Sequence, residues 1–239
     1  QTMSYSTNEM RWISRAMTFA LVSHAERGRP IDFLFKPGAA GNKLVIWGCP
    51  IDVVIAAICS DVSNGSNLDL KENELCCTLG YEAVQIIKEI SGTRSSPDWC
   101  ERQRFKLERV SKVSLEACVV LAARQLANLE FSNDSVDQIA ATVTEGEAQE
   151  AAIEDFFQQF KSPGQDYLRA YNILLVHLLL KRVDRTDDFE LMTILDRVTE
   201  DIPHFITDLW PGMGMSLEQA ASLLQFSLEQ EQVLESLGC

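Results

Sequence analysis

Residues Leu115–Phe131 read LEACVVLAARQLANLEF, a stretch dominated by Ala, Leu and Val that contains neither Gly nor Pro. Small and straight-chain residues favour the α-helix, and Ser114, directly before the stretch, is a suitable N-cap. A helix this rich in small and apolar side chains is expected inside a helical bundle. We therefore predict an all-α protein, a multi-helix bundle organised around this segment.

Capping patterns on both sides of this segment predict further helices. Capping-box spacing occurs at Ser6–Glu9 and again at Ser216–Gln219. Ser96-Pro97-Asp98 predicts the start of a helix that ends at Ser111-Lys112-Val113-Ser114, directly before the central segment. Pro50 precedes IDVVIAAIC, which is apolar on nearly all sides and is therefore expected to be a central helix.

The remaining segments are less clearly patterned. KPGAAGNK (36–43) is predicted to be a loop, and IDFLF (31–35) is either a short helix or a strand that pairs with LVIWG (44–48) in a hairpin. After the central segment we predict four helices, at 133 or 135 to about 144, 147–160, about 166–183 and 186–199. A turn is predicted at 203–210.

KSPG (161–164) has the composition of a linker. It divides the chain into two predicted helical subdomains, residues 1–160 with a basic helix and residues 165–239. The length of 239 residues suits one large domain or two modest ones.

The net charge of −14 is unevenly placed. Residues 1–112 hold 14 basic and 13 acidic side chains, whereas residues 113–239 hold 7 and 22. The acidic second half argues against a nucleic-acid surface there. The first half could present a basic face to an anionic partner.

The stretch DVSNGSNLDLKE (61–72) resembles a calcium-binding loop but departs from its pattern. Asp61, Ser63 and Glu72 would be ligands, yet Gly65 stands where an oxygen ligand is needed and Ser66 where the sharp turn needs Gly. A turn followed by a helix cap is the favoured interpretation. We expect no metal.

No catalytic motif is apparent. PGAAGNKL (37–44) lacks the Gly-Lys-Ser/Thr of a phosphate-binding loop, and no nucleophile-elbow sequence occurs. The three histidines, His24, His177 and His204, have no metal-ligand spacing. We therefore expect no cofactor, no small-molecule substrate and no enzymatic activity.

One stretch, RQRFKLERVSK (102–112), concentrates positive charge on a predicted helix. Arg102, Lys106 and Arg109 follow at i, i+4 and i+7, with Arg104 and Lys112 beside them. Such a cluster suits phosphates of lipid or RNA, or a nuclear import signal. The alternatives are a solvated helix face or an internal match to the acidic half.

The order of these segments resembles the influenza-type (orthomyxovirus) matrix protein. RFKLER (104–109) followed by VSLEACVVLAARQLANL (113–129) is similar to that family's basic helix and the apolar helix after it. EMRWISRAMTFALV, DFLFKP and PIDVVIAAIC fall in the order of its early helices, and KSPG near its interdomain linker. A thogotovirus-like branch fits better than influenza itself.

The resemblance implies a non-enzymatic matrix protein that self-assembles under the viral envelope and bridges membrane and ribonucleoprotein. Its partners would be itself, the anionic membrane surface and viral ribonucleoprotein or RNA, the last two contacted through the basic cluster. It would occupy the virion interior beneath the envelope and the host cytoplasm and nucleus. Two departures stand out, the strong acidity of this chain and its lack of the family's Cys/Cys/His/His cluster. The alternative is an acidic cytosolic adaptor that binds a basic partner.

Overall fold

The computed structural model describes residues 5–28, 34–62, 68–91, 96–143, 146–159, 163–209 and 214–228. Within these ranges the chain forms eleven helices and no strand, which confirms the predicted all-α bundle. The helices are α1 Thr7–Glu26, α2 Phe35–Ile46, α3 Ile51–Cys59, α4 Leu68–Leu79, α5 Tyr81–Ser91, α6 Trp99–Val110, α7 Leu115–Thr142, α8 Gly146–Gln159, α9 Gln165–Val183, α10 Phe189–Leu209 and α11 Leu217–Leu224.

The apolar helix α3 lies at the centre of the N-terminal helices. Every side chain from Val53 to Cys59 is buried, and α3 packs against α1, α2, α5 and α7. A helix buried on all sides needs neighbours on all sides, so α3 fixes where those four helices lie. The prediction of a central helix here is confirmed.

The predicted caps are also present. Ser6 with Glu9 and Ser216 with Gln219 form complete capping boxes. The Ser114 hydroxyl accepts a hydrogen bond from the Ala117 N–H at the start of α7. These contacts satisfy backbone N–H groups that have no partner within the helix.

The predicted loop and the alternative hairpin before α3 are wrong where the structure describes them. Residues 36–43 and the LVI of LVIWG belong to α2. Of IDFLF, residues 31–33 lie outside the described residues, whereas Leu34 is the N-cap of α2 and Phe35 is its first residue. Pro37 is tolerated because it sits in the first turn, where its missing N–H would have no helical partner. Gly41 has a packing role, since a Cβ there would lie 2.6 Å from Cγ1 of Ile58 in α3.

The break predicted at residue 133 or 135 does not occur, and α7 runs uninterrupted for 28 residues. The Ser132 and Ser135 hydroxyls donate to the carbonyls of Asn128 and Phe131, one turn earlier. Each serine thus bonds back along the helix instead of opening a new one.

The helix predicted at 186–199 and the turn predicted at 203–210 are one longer helix, α10. It begins at Phe189, because the Asp188 carboxylate caps it by accepting from the Leu191 N–H. Pro203 lies inside it. The neighbouring Ile202 is fully buried, and the packing of that side chain against the core favours continuing the helix through the proline.

The C-terminal helices pack onto the N-terminal ones. α10 lies against α7, and α9 lies against α6, α10 and α11. The buried apolar side chains form one cluster that reaches from Ile13 to Leu224. The division at residues 161–164 stays a prediction, and α7 touches helices on both sides of it.

Candidate functional site

Helix α6 carries most of the predicted basic cluster, and its ends are fixed by contacts with other segments. Asp98 caps its start by accepting from the Cys100 N–H at 2.9 Å. At its end, the Arg182 guanidinium of α9 donates to the carbonyls of Ser111 and Val113. Glu89 accepts from the Ser114 N–H at 2.6 Å. These bonds hold the α6–α7 turn rigidly against α5 and α9.

The inward face of α6 is formed by Gln103, Leu107 and Val110. Arg102, Lys106 and Arg109 each directly precede one of these buried residues. They therefore lie along the edge of the buried face of α6. Arg102, Arg104, Lys106 and Arg109 are accordingly half-buried, whereas Lys112 in the following turn is exposed.

The four half-buried basic side chains differ in surroundings. Arg102 donates to the carbonyls of Ser96 and Pro97, at 2.6 and 2.8 Å. Arg109 lies over the ring of Phe105 at 5.7 Å, and burial lowers the pKa of its guanidinium. The Nε of Arg104 is buried and has no hydrogen-bond partner in the described structure. The cluster is therefore not one uniform solvated ridge.

Lys106 is half-buried and lines a cleft that Trp99 and Tyr171 also line. Burial, with the nearby charges of Arg124 and Arg102, lowers the pKa of its ammonium to about 8. Asp61 acts in the opposite direction, but its carboxylate is bound to the Arg124 guanidinium at 2.5 Å. Lys106 makes no hydrogen bond or ion pair with any residue that the structure describes.

The acidic residues considered for calcium have other partners. Asp61 pairs with Arg124, and Glu72 accepts from Lys88 at 2.9 Å and from Gln85 at 3.4 Å. Residues 63–67 and the side chain of Asp69 lie outside what is described. Among the described residues no group of three or more His, Cys, Asp or Glu could hold a metal ion.

A second surface, which the sequence analysis did not identify, lies on α1. The buried positions of α1 are Ile13, Ala16, Ala20 and His24. The helical spacing of Met10 and Met17 predicted an amphipathic helix but did not show which apolar residues face out.

Beside this buried face, Met10, Met17 and Leu21 form a row of apolar side chains that are 42% to 52% exposed, called the α1 face below. Val22, Arg11 and Arg15 lie next to this row, on the outer side of the helix.

Comparison with known proteins adds no relative. No family model matches the sequence, and no curated protein matches it. In the described part of the chain no helix is long and apolar enough to cross a membrane.

Proposed function

We propose that this chain is a non-enzymatic matrix-type structural protein whose copies assemble through the α1 face. The observation that carries the proposal is the row of exposed apolar side chains on α1. Clustered large apolar side chains on a protein surface mark interaction sites. In this proposal the assembly lies beneath a viral envelope in the virion interior, and the protein also occupies the host cytoplasm and nucleus.

The uneven charge supports a second copy as the occupant of the α1 face. Arg11 and Arg15 flank the apolar side chains, whereas residues 113–239 carry a net charge of −15. Contact between two acidic halves would be repulsive, so the favoured contact joins the α1 face of one copy to the acidic half of the next. A head-to-tail contact of this kind continues from copy to copy, and it produces open arrays, which suit a layer, when its rotation does not close a ring.

The assembly proposal is tested by placing charge on the α1 face. We expect the wild type to increase in mass with concentration at low salt, and the double variant Met17→Glu, Leu21→Glu to stay monomeric. The two glutamates would replace the apolar contact and would face an acidic partner. Sedimentation velocity over a concentration series measures the mass.

The matched control is Tyr81→Glu, which likewise replaces an exposed large side chain by a carboxylate, at the start of α5 and outside the α1 face. It should assemble like the wild type. A wild type that remains monomeric at every concentration and captures basic peptides would overturn the proposal in favour of the acidic adaptor.

In the same proposal the basic cluster of residues 102–112 is the contact to anionic membrane and viral ribonucleoprotein. Lys112 is exposed, and Arg109 precedes it by three residues at the end of α6, so these two side chains can contact such a surface together. A basic side chain near an anionic membrane contributes about 1 kcal/mol. We therefore expect Arg109→Ala, Lys112→Ala to weaken binding to anionic vesicles about tenfold or more at low salt.

Vesicle co-sedimentation at several salt concentrations measures this effect, and electrophoretic shifts of single-stranded RNA measure the alternative ligand. Arg197→Ala is the control, because Arg197 is exposed on α10 in the acidic half. Binding that is equally strong in the double variant and insensitive to salt would remove the cluster as the anionic contact.

A further inference from the structure

A cleft of about 230 Å³ opens among α6, α7, α8 and α9, and Lys36 of α2 also lines it. This volume lies below the ~300–1,000 Å³ of drug-sized sites, so the cleft suits a ligand the size of one substituted ring. No residue of the α1 face lines the cleft, and neither does Lys112. The cleft is therefore separate from the surface proposed for assembly.

Three polar residues that line the cleft are more than nine-tenths buried. Gln103 and Tyr171 are each 7% exposed, and Gln125 is 8% exposed. Gln125 donates to the Asn172 Oδ1 at 2.7 Å. The Gln103 amide and the Tyr171 hydroxyl make no hydrogen bond with any residue that the structure describes. Since polar groups buried to this degree normally have a partner, these two have hydrogen-bonding capacity for a ligand in the cleft.

Both of these groups can donate to a carbonyl oxygen. The Gln103 amide carries two N–H donors. Burial raises the pKa of the Tyr171 hydroxyl, so the hydroxyl stays protonated and remains a donor. The cleft therefore suits a ligand with a carbonyl group.

The apolar part of the cleft is built from aromatic rings that pack on one another. Trp99 and Tyr171 meet edge to face with centroids 6.5 Å apart, and Phe156 and Phe157 do so at 5.3 Å. Rings of this kind pack well against another aromatic ring. The carbonyl ligand that fits this lining is therefore an aromatic one.

The Lys106 side chain brings a nucleophile to the same cleft. It makes no hydrogen bond or ion pair with the residues that the structure describes. Burial lowers the pKa of its ammonium to about 8, so a large fraction is the neutral amine at pH 8. A lysine that is desolvated and close to other cations is activated for attack on carbonyl carbon.

The charged groups around Lys106 favour this neutral amine. Arg124 of α7 and Arg102 of α6 lower the pKa of the Lys106 ammonium, and Asp61 raises it. Asp61 is itself bound to Arg124 at 2.5 Å. Lys36 lines the cleft from α2, whereas α8 and α9 contribute no charged side chain to the lining that the structure describes.

We infer that this cleft holds a small aromatic aldehyde and that the Lys106 amine captures the aldehyde as a reversible imine. The ring of the aldehyde packs against Trp99 and Tyr171, and its carbonyl oxygen accepts from the Gln103 amide or the Tyr171 hydroxyl. The inference concerns a captured ligand and does not depend on the proposed assembly.

The capture needs no reagent besides the aldehyde. The lone pair of the Lys106 Nζ attacks the aldehyde carbon, and an electron pair of the C=O bond moves to the oxygen as the C–N bond forms. Transfer of one proton from nitrogen to this oxygen gives a carbinolamine. The hydroxyl group then leaves with a second proton from nitrogen as water, and the C=N bond forms. Amine and aldehyde give imine and water, and nothing is oxidised or reduced.

The experiment treats the full chain with benzaldehyde at pH 8, fixes the imine by borohydride reduction and locates the benzyl group by peptide mapping. We expect Lys106 to be half-labelled at a benzaldehyde concentration at least tenfold lower than Lys112, which is exposed and outside the cleft. Capture at Lys106 should rise steeply from pH 6 to 8, as the ammonium loses its proton. Equal labelling of the two lysines would overturn the inference.

Two further ligands test whether the ring is held in the cleft of the wild-type protein. Benzyl alcohol has the ring but no aldehyde, and in excess it should protect Lys106 but not Lys112 from benzaldehyde. Propanal has the aldehyde but no ring, and its preference for Lys106 over Lys112 should be at least tenfold smaller. A reactive lysine without a binding cleft would instead show no protection and the same preference for both aldehydes, which would also overturn the inference.

A matched pair of variants assigns the label. Lys106→Met should lose the benzyl group that appears first in the intact mass, whereas Lys112→Met should gain it at the same benzaldehyde concentration as the wild type. Lys106→Met should fold, because the exchange removes a poorly solvated charge, and circular dichroism checks this. First labelling that persists in Lys106→Met would rule out Lys106 as the site of capture.

Discussion

Raising the pH from 9 to 11 is expected to remove roughly 4–6 kcal/mol from the free energy of unfolding. The cause is the set of buried thiols, Cys49, Cys59 and Cys118. Burial raises the pKa of Cys49 and Cys59 to about 12 and that of Cys118 to about 11, from an ordinary value of 9.0. Cys59 and Cys118 also donate to the carbonyls of Ala16 and Val110, which further favours the protonated thiol.

The direction follows from proton linkage. A thiol whose pKa is raised by folding contributes stability that is complete below pH 9 and is lost as the pH rises toward the folded value of 11 to 12. Each thiol loses up to about 1.4 kcal/mol per pH unit in that window. Lys106 acts oppositely. Burying its charged ammonium destabilises the folded protein, and this destabilisation decreases as the pH rises because the pKa of the ammonium is lowered to about 8. Lys106 thereby returns about 2 kcal/mol of the roughly 6 that the thiols lose. Tyr5 and Tyr171 offset part of this return, because burial raises the pKa of both hydroxyls above 10.0 and their stabilisation is also lost as the pH rises.

Guanidinium unfolding at pH 7, 9, 10 and 11 in reducing buffer measures this effect. The variant Cys49→Ala, Cys59→Ala, Cys118→Ala should show a much flatter dependence on pH, whatever its absolute stability. The slope is the readout, because each alanine also removes buried contacts. A wild-type free energy of unfolding that is constant between pH 9 and 11 would contradict the buried, protonated state of these thiols.

Gly41→Ala is expected to destabilise the protein by about 1–3 kcal/mol, although alanine is the better helix former. A Cβ at residue 41 would lie 2.6 Å from Cγ1 and 3.2 Å from Cδ1 of Ile58. Ile58 is β-branched and buried, so its χ1 cannot move away without strain. Helices α2 and α3 would have to separate, and contacts around the central helix would be lost.

Gly38→Ala is the matched control in the same helix, because a Cβ there would meet nothing within 4 Å. It should stabilise the protein by about 0.5–1 kcal/mol through helix propensity alone. The double variant Gly41→Ala, Ile58→Ala should cost less than the sum of its single changes, since the second change removes the clashing atoms. If Gly41→Ala and Gly38→Ala changed the free energy of unfolding equally, α2 and α3 would not approach each other this closely.

The α1 face and the surroundings of the basic cluster could be predicted only in part from the sequence. The spacing of Arg102, Lys106 and Arg109 correctly places them on one side of a helix. It could not show that Lys106 lines the same cleft as Trp99 and Tyr171, because Tyr171 lies 65 residues further along the chain. The sequence also could not show that Met10 and Met17 are exposed. Apolar residues at helical spacing are equally compatible with the inward and the outward face.

The sequence by itself determined that the chain is helical and where most helices begin. Capping at Ser6, Asp98, Ser114 and Ser216 depends on contacts within two or three residues, so local chemistry is enough to specify it. Only the tertiary structure decided whether a helix continues through residues that disfavour it. Gly41 lies in a helix because α3 packs there, and α10 passes Pro203 with Ile202 in the core. Burial of apolar side chains outweighs local propensity at such points, and burial depends on neighbours that are distant in the sequence.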